Sequence, residues 1–274
     1  MINQHIWMKK MCRLFGLVAN KEVDIEFSFI KADRPFRDLG IKNPDGWGIG
    51  YYQNDNAIVF KEPVSTINSS QFYQKAKHLY SSIIISHVRK SSQGGRKKEN
   101  THPFNYNNWI FAHNGNIDIK ELIKEQLLHK YIKSLKGETD SEIFFFWLIQ
   151  NMDEYDIIKG IKRAINFIEG NKGDRTSSLN FLLTNGEKLY ALRKAFSNTA
   201  FYSLFYLVRD PQNNNITSYV SKETNQLIQS KKLSDEKSIV ICSEKMTSEE
   251  NWIPISNSSL MIVEKNFDIK HLSL

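Results

Sequence analysis

Short apolar blocks separated by turn-forming residues recur along most of the chain. The block Cys12-Arg13-Leu14-Phe15-Gly16-Leu17-Val18-Ala19 has the length and composition of a buried strand. Similar blocks, rich in β-branched and aromatic residues, predict strands at 48–53, 57–61, 82–89, 108–113, 178–184, 187–193, 201–208, 215–220, 238–242 and 259–264. Asn185-Gly186 joins two of them as a two-residue hairpin signal, so at least part of the sheet is antiparallel. Helical spacing predicts helices at 24–31, 70–80, 118–133, 140–152 and 155–169. The fourth is the clearest. Thr139 or Asp140 can cap it, Glu142 falls in its first turn, and Phe144-Phe145-Phe146-Trp147-Leu148-Ile149 is apolar nearly all round. Such a helix is buried between layers. Two helix groups interleaved with mostly antiparallel strands, with no repeat or linker, predict one layered α+β domain.

At 274 residues, with 41% hydrophobic and 24% charged residues, the composition is that of a globular protein with a full core. The net charge of +7 raises the question of nucleic acid. Lysines are interspersed with acids, however, as in Lys120-Glu121, Lys124-Glu125, Lys222-Glu223 and Glu236-Lys237. Local runs such as Lys9-Lys10 and Arg96-Lys97-Lys98 are short, so no nucleic-acid footprint is expected. Two cysteines, Cys12 and Cys242, suit a reducing compartment rather than a disulfide framework. Residues 1–11 lack the apolar stretch of a signal peptide, and no run is long enough to cross a bilayer. A cytoplasmic location without membrane contact is the expectation.

Candidate chemistry begins at Cys12, directly behind Met11. With residues 1–11 untranslated or removed, Cys12 would carry a thiol and a free α-amino group. Their unperturbed pKa values are about 8.5 and about 8, so one can attack while the other takes its proton. Three further clusters bear on the same site. Arg89 ends the strand Ile83-Ile84-Ile85-Ser86-His87-Val88 and enters the turn Lys90-Ser91-Ser92-Gln93-Gly94-Gly95, where it can grip a carboxylate or form a structural ion pair. Asn114 and Gly115 offer two neutral donors for an oxyanion, or else an ordinary Asn-Gly turn. Glu138-Thr139-Asp140-Ser141-Glu142 caps the buried helix and can also receive a ligand's ammonium group. Together these describe a site for an α-amino acid with a reactive side-chain carbonyl, such as glutamine or a γ-glutamyl group. His87, His102 and His113 lack partners at metal spacing and read as loop-fixing hydrogen-bonders, and no metal site is expected. Asp45-Gly46-Trp47-Gly48-Ile49-Gly50 reads as a turn into a strand whose glycines allow close backbone approach, and Cys242 reads as core.

In this order the motifs resemble the class II glutamine amidotransferase domain, an N-terminal-nucleophile hydrolase. The matching pieces are Met11-Cys12 with Arg13-Leu14-Phe15-Gly16, His87-Val88-Arg89, Asn100-Thr101-His102-Pro103-Phe104, His113-Asn114-Gly115-Asn116 and Glu138-Thr139-Asp140-Ser141-Glu142. Val240-Ile241-Cys242-Ser243-Glu244 and Trp252-Ile253-Pro254 resemble the closing strands of stand-alone members. The resemblance spans 12–274, with 1–11 as a leader, and implies a four-layer αββα sandwich. It implies Cys12 as nucleophile, Asn114 and Gly115 as oxyanion hole, Arg89 as carboxylate anchor and Asp140 as ammonium anchor. Where the family often has Thr-His-Gly, this chain has Ser92-Gln93-Gly94, so Ser92 keeps a hydrogen-bond donor near the substrate while the loop histidine is absent. The activity implied is cofactor-free hydrolysis of the glutamine side-chain amide through a γ-glutamyl thioester. A separate ammonia-accepting or peptidase-like subunit is the partner such a chain would serve. Two alternatives stand beside it: hydrolysis of a γ-glutamyl peptide, glutathione-like, and a catalytically silent binding protein that keeps its leader.

Overall fold

The computed structural model describes residues 12–210, 218–220, 227–229, 237–248 and 250–274. The leader at 1–11 and the first half of the strand expected at 215–220 lie outside the described residues. One sheet is built from β1 (Arg13–Val23), β2 (Gly46–Gln53), β3 (Asn56–Glu62), β4 (Ser81–Arg89), β9 (Phe205–Arg209), β12 (Ser238–Cys242) and β13 (Ile253–Pro254). A second holds β5 (Phe104–Tyr106), β6 (Trp109–Asn114), β7 (Asn180–Thr184), β8 (Lys188–Arg193), β14 (Ser259–Glu264) and β15 (Ile269–Ser273). Strand order is β13-β9-β12-β1-β4-β2-β3 in the first and β15-β14-β8-β7-β6-β5 in the second, while β10 (Ser218–Val220) pairs with β11 (Leu227–Gln229). Every strand pairing among the described residues is antiparallel.

Three apolar clusters define the layers, because alternate residues of a strand face opposite sides of a sheet. Leu14, Val18, Ile83, Ile85 and Ile241 meet Ile110, Ala112, Leu182, Ala191 and Met261 between the two sheets. From the same strands, Phe15, Leu17, Ile84, Val88 and Val240 face outward onto Phe27, Phe29, Phe36 and Phe72. These belong to a π-helical turn (Phe27–Lys31), a 3-10 turn (Phe36–Asp38) that leads into α1 (Leu39–Lys42), and α2 (Ser70–His78). On the far side, Phe111, Phe181, Leu183 and Tyr190 pack under α5 (Asp140–Glu154) and α6 (Ile157–Asn171). Helix, sheet, sheet, helix: this is the αββα sandwich.

Local departures from expectation have local causes. The single helix expected at 118–133 is two, α3 (Lys120–Glu125) and α4 (His129–Ile132). Gln150 of α5 breaks it, accepting from the Leu128 N–H at 2.7 Å and donating to the Gln126 carbonyl at 2.9 Å. The helix expected at 24–31 is only the π turn, closed by the Ala32 N–H on the Phe27 carbonyl. There Phe29 stacks on Phe36 and Phe72, with ring centroids 4.9 and 5.2 Å apart. The Asn185-Gly186 hairpin forms, but Thr184 pairs with Leu189, so its loop is longer than two residues. Asn185 Oδ1 organises that loop, accepting from the N–H groups of Glu187 and Lys188.

Candidate active site

Strands β12 and β4, on either side of β1, place Cys12. β12 pairs with β1 in the register Phe15↔Cys242, and Ser243 continues the ladder by donating its N–H to the Leu14 carbonyl and accepting the Leu14 N–H on Oγ. Glu244 then takes the Arg13 side chain in an ion pair of 2.5 Å. On the other side β4 pairs with β1 as Arg13↔Val88, which brings Arg89 and Lys90 beside Cys12. The Cys12 thiol donates to the Lys90 carbonyl at 3.3 Å and accepts the Lys90 N–H at 3.2 Å. Burial pushes this thiol above its ordinary value, against the Lys90 N–H and the positive charges of Arg89 and Arg13. It therefore needs a base close by to become a nucleophile. Cys242 is different: fully buried, pushed up to about 12 by that burial, it is core.

Arg89 is 3% exposed, and its charge interacts with Cys12, Asp45 and Asp140. Its guanidinium gathers the following loop, donating to the carbonyls of Gly95 at 3.2 Å and Gln93 at 2.8 Å and to Ser91 Oγ at 3.1 Å. Asp45, 3% exposed, holds the same loop from beneath. It accepts the Ser91 N–H at 2.9 Å and pairs with Lys90 at 3.2 Å and Arg96 at 2.5 Å. Burial works against its charge, but these partners outweigh it and keep the carboxyl below its usual value.

Ser92 lies on the outer side of the loop. Its side chain is exposed and makes no hydrogen bond among the described residues, because the turn directs Ser91 and Gln93 inward instead. Gln93 donates its side-chain amide to Asn116 Oδ1 at 2.8 Å, linking the arginine loop to the Asn114-Gly115 turn.

That turn is held by its neighbours. Gly115 lies under the Ser178 carbonyl so closely that an added Cβ would strike it, and only glycine fits. Asn116 exchanges hydrogen bonds with Ser177, and the Ile117 N–H donates to Asp140 Oδ2 at 2.7 Å. The Asn114 side chain makes no hydrogen bond among the described residues, although its Oδ1 is buried. It does not brace the turn, which removes the ordinary-turn explanation for an Asn here. β6 alternates Ile110 and Ala112 inward, so Asn114 faces the space between the sheets, toward the first one.

Asp140 opens α5, and Thr139 is the cap, accepting the Glu142 N–H on its side chain. The Asp140 carboxylate accepts from Ile117 and Ser141 N–H groups and contributes to the field at both Cys12 and Arg89. Cys12, Arg89 and Asp140 thus share one electrostatic environment, with the Asn114-Gly115 turn tied to it through Asp140.

The three histidines separate. His113 fixes structure as expected: its Nε2 donates to the Ser178 carbonyl at 3.1 Å, so Nδ1 accepts from Ser141 Oγ at 2.9 Å. His87 and His102 do not. Their ring centroids lie 4.1 Å apart with the planes tilted by 35°, His87 rests against the His113 backbone outside good hydrogen-bond geometry, and all four ring nitrogens lack a partner among the described residues. They are packing residues, not loop-fixing ones. The reason is position: His87 follows Ile83 and Ile85 on the inner face of β4, and the His102 carbonyl rides over Gly48, where any Cβ would collide.

Burial, reinforced by the neighbouring charges, lowers His87 to about 3 and His102 well below its ordinary value. Below about pH 6.5 the unfolded chain takes up protons at these positions that the folded chain refuses. Stability is then complete above about pH 6.5 and falls toward pH 3 by up to about 1.4 kcal/mol per pH unit for each ring. Denaturant midpoints at pH 7.5 and pH 5 are expected to differ accordingly, and His87→Phe to flatten the dependence. Equal midpoints would contradict this reading.

Sequence reading missed Asp45, Ser91, Asn116 and Ser177 as parts of the site. Ser91 and Asn116 lie within the quoted motifs without a role of their own, whereas Asp45 and Ser177 act through contacts distant in sequence. Among the described residues, no group of three or more His, Cys, Asp or Glu side chains could hold a metal ion, and no helix is long and apolar enough to cross a membrane.

A family model described as class II glutamine amidotransferases matches residues 11–271. The chain belongs to the class II glutamine amidotransferase family, whose members are amidotransferase and hydrolase enzymes. A Haemophilus influenzae protein named as a glutamine amidotransferase is 29% identical over 197 residues, covering 67% of this chain and 63% of that protein. The chain therefore spans less than two thirds of that relative. The γ-glutamyl-hercynylcysteine sulfoxide hydrolase of Mycobacterium tuberculosis is 31% identical over 80 residues, 29% of this chain and 34% of its own length. In fold, the chain is similar to a glutamine aminotransferase class-II domain protein from Silicibacter pomeroyi, with a TM-score of 0.66 at 17% identity over 96% of this chain and 99% of that one.

Proposed function

We propose that the protein hydrolyses the side-chain amide of glutamine through a γ-glutamyl thioester on Cys12. The observation that carries this is the field around the thiol. Arg89 and Asp140, opposite in sign and both 3% exposed, each act on Cys12, as anchors for the α-carboxylate and α-ammonium of one amino acid should. Substrate held between them would present its side-chain carbonyl to Sγ. The thiol's raised pKa argues for a base within reach, and the Cys12 α-amine, freed by removal of residues 1–11, is that base in this proposal. It takes the thiol proton, the sulfur attacks the amide carbon, and the Asn114 amide and Gly115 N–H receive the oxyanion. The C–N bond then breaks as the ammonium returns its proton to the leaving nitrogen. Water, deprotonated by the same amine, cleaves the thioester to glutamate and free thiol.

Active protein is accordingly expected to begin at Cys12. N-terminal sequencing together with intact mass checks this, and active protein beginning at Met1 or Met8 would remove the proposed base.

The anchors are tested by substitution. Arg89→Lys keeps the charge but loses the planar fork, so KM for glutamine is expected to rise at least tenfold. Asp140→Asn should lose most on substrates with a free α-amino group and least on N-acylated ones. Unchanged KM in both variants would reject the glutamyl head as the recognised group.

A second reading, a γ-glutamyl peptide as substrate, is favoured by one feature: the proposed anchors grip only the glutamyl half. The stretch shared with a relative named for a γ-glutamyl substrate points the same way. Comparing kcat/KM for glutamine and for γ-glutamyl dipeptides separates the two.

A further inference from the structure

Where the β3 edge of one sheet meets β5 of the other and the start of α5, the protein has an open-sided cavity of about 290 Å³. None of Cys12, Arg89, Asn114, Gly115 or Asp140 lines it. Its walls carry three ammonium groups, Lys61, Lys98 and Lys136, against an apolar surface of Val59, Phe104 and Phe146. Lys61 is the deepest. It donates to the Pro103 carbonyl at a long 3.3 Å and stands 4.9 Å over the Phe104 ring. None of the three lysines forms an ion pair among the described residues.

Two acids also face the cavity, and neither comes within salt-bridge distance of the lysines, so three positive charges meet two negative ones. Glu142 spends its carboxylate on backbone, accepting from Lys136 N–H at 3.0 Å and Gly137 N–H at 2.7 Å. Glu99 is exposed at the rim. A half-buried cation with no salt bridge is costly, and burial draws Lys61 down to about 8 despite the attraction of Glu142 and Glu99. A ligand that brings its own negative charge removes that cost.

Lysine ammoniums are compact point charges suited to phosphate, whereas planar carboxylates are better served by an arginine fork, and the cavity holds no arginine. Val59, with the edges of Phe104 and Phe146, which are only 3% and 2% exposed, forms the apolar wall of the cavity and suits a flat or aliphatic body. We propose that this cavity binds a small phosphate monoester, with its phosphate among Lys61, Lys98 and Lys136 and its apolar body on Phe104 and Phe146. This goes beyond the amidase reading and does not depend on it, because binding is read without any turnover.

The test is titration of the full chain with phenyl phosphate at low salt, followed by calorimetry and by amide NMR. Saturable binding is expected, with resonances of Phe104, Lys136 and Phe146 shifting. Lys61→Met should weaken it at least tenfold, while Lys270→Met on the remote β15 leaves it unchanged. Affinity should also fall about tenfold between pH 7 and pH 9 as Lys61 loses the proton that the phosphate prefers. Inorganic phosphate should bind several-fold more weakly. Should Lys61→Met fail to fold, the double variant Lys98→Met with Lys136→Met, at two exposed positions, gives the same reading. No saturable binding, undiminished binding by the folded variant, or equal affinity for inorganic phosphate would each overturn the proposal.

Discussion

Cys12→Ala is expected to abolish glutamine hydrolysis, with kcat falling to the background of the uncatalysed reaction, while the protein remains folded. The substitution removes the only atom proposed to bond the substrate, so no lesser route through the acyl-enzyme remains. It should cost little stability, since Sγ hydrogen-bonds only to the Lys90 backbone among the described residues. Cys242→Ala gives the control. That side chain lies in the core beside Phe15, and its loss should cost about 1–2 kcal/mol of stability yet leave turnover per folded molecule intact. Comparable losses of activity in both variants would mean that the nucleophile is misassigned.

Asn114→Ala carries the second large effect. Its amide is proposed to bond the carbonyl oxygen once that oxygen becomes charged, so kcat should fall roughly 100- to 1000-fold with little change in KM. The structure sharpens this expectation. An asparagine that shaped the turn would hydrogen-bond to it, but the turn is held by Ser177, Ser178 and Asp140, while the Asn114 side chain bonds to none of the described residues. Stability should therefore change little. A destabilised variant with full activity per folded molecule would rule out the oxyanion role.

Much of this architecture was legible because it is written in local composition. The apolar blocks of β1, β4, β7 and β12 are strands buried on both faces, and the phenylalanine-rich α5 lies buried under the second sheet. What escaped lacks such a signal. β5 spans only three residues, and β15, Ile-Lys-His-Leu-Ser, is a largely exposed edge that exists only by pairing with β14. Their backbone partners, not their side chains, make them strands.

The candidate site divides the same way. Cys12, Arg89, Asn114, Gly115 and Asp140 stand in short motifs whose residue types announce chemistry. Asp45 acts on a loop about 45 residues away in sequence, and nothing in its own neighbourhood says so. Ser92 and Ser91 were indistinguishable as adjacent serines, and only the path of the loop around Arg89 turns one inward and the other to solvent. The paired His87 and His102 rings show the limit in another form. A histidine in a motif suggests a hydrogen bond, but strand alternation put His87 on the inner face, where packing decides.

The most direct test of Cys12 as the acyl-carrying nucleophile is acid-quench mass spectrometry during turnover of isotopically labelled glutamine. The label is expected on the peptide containing Cys12, in a form released by hydroxylamine and absent from Cys12→Ala. Ammonia release that proceeds with no label on Cys12, or with label on another residue, would contradict it.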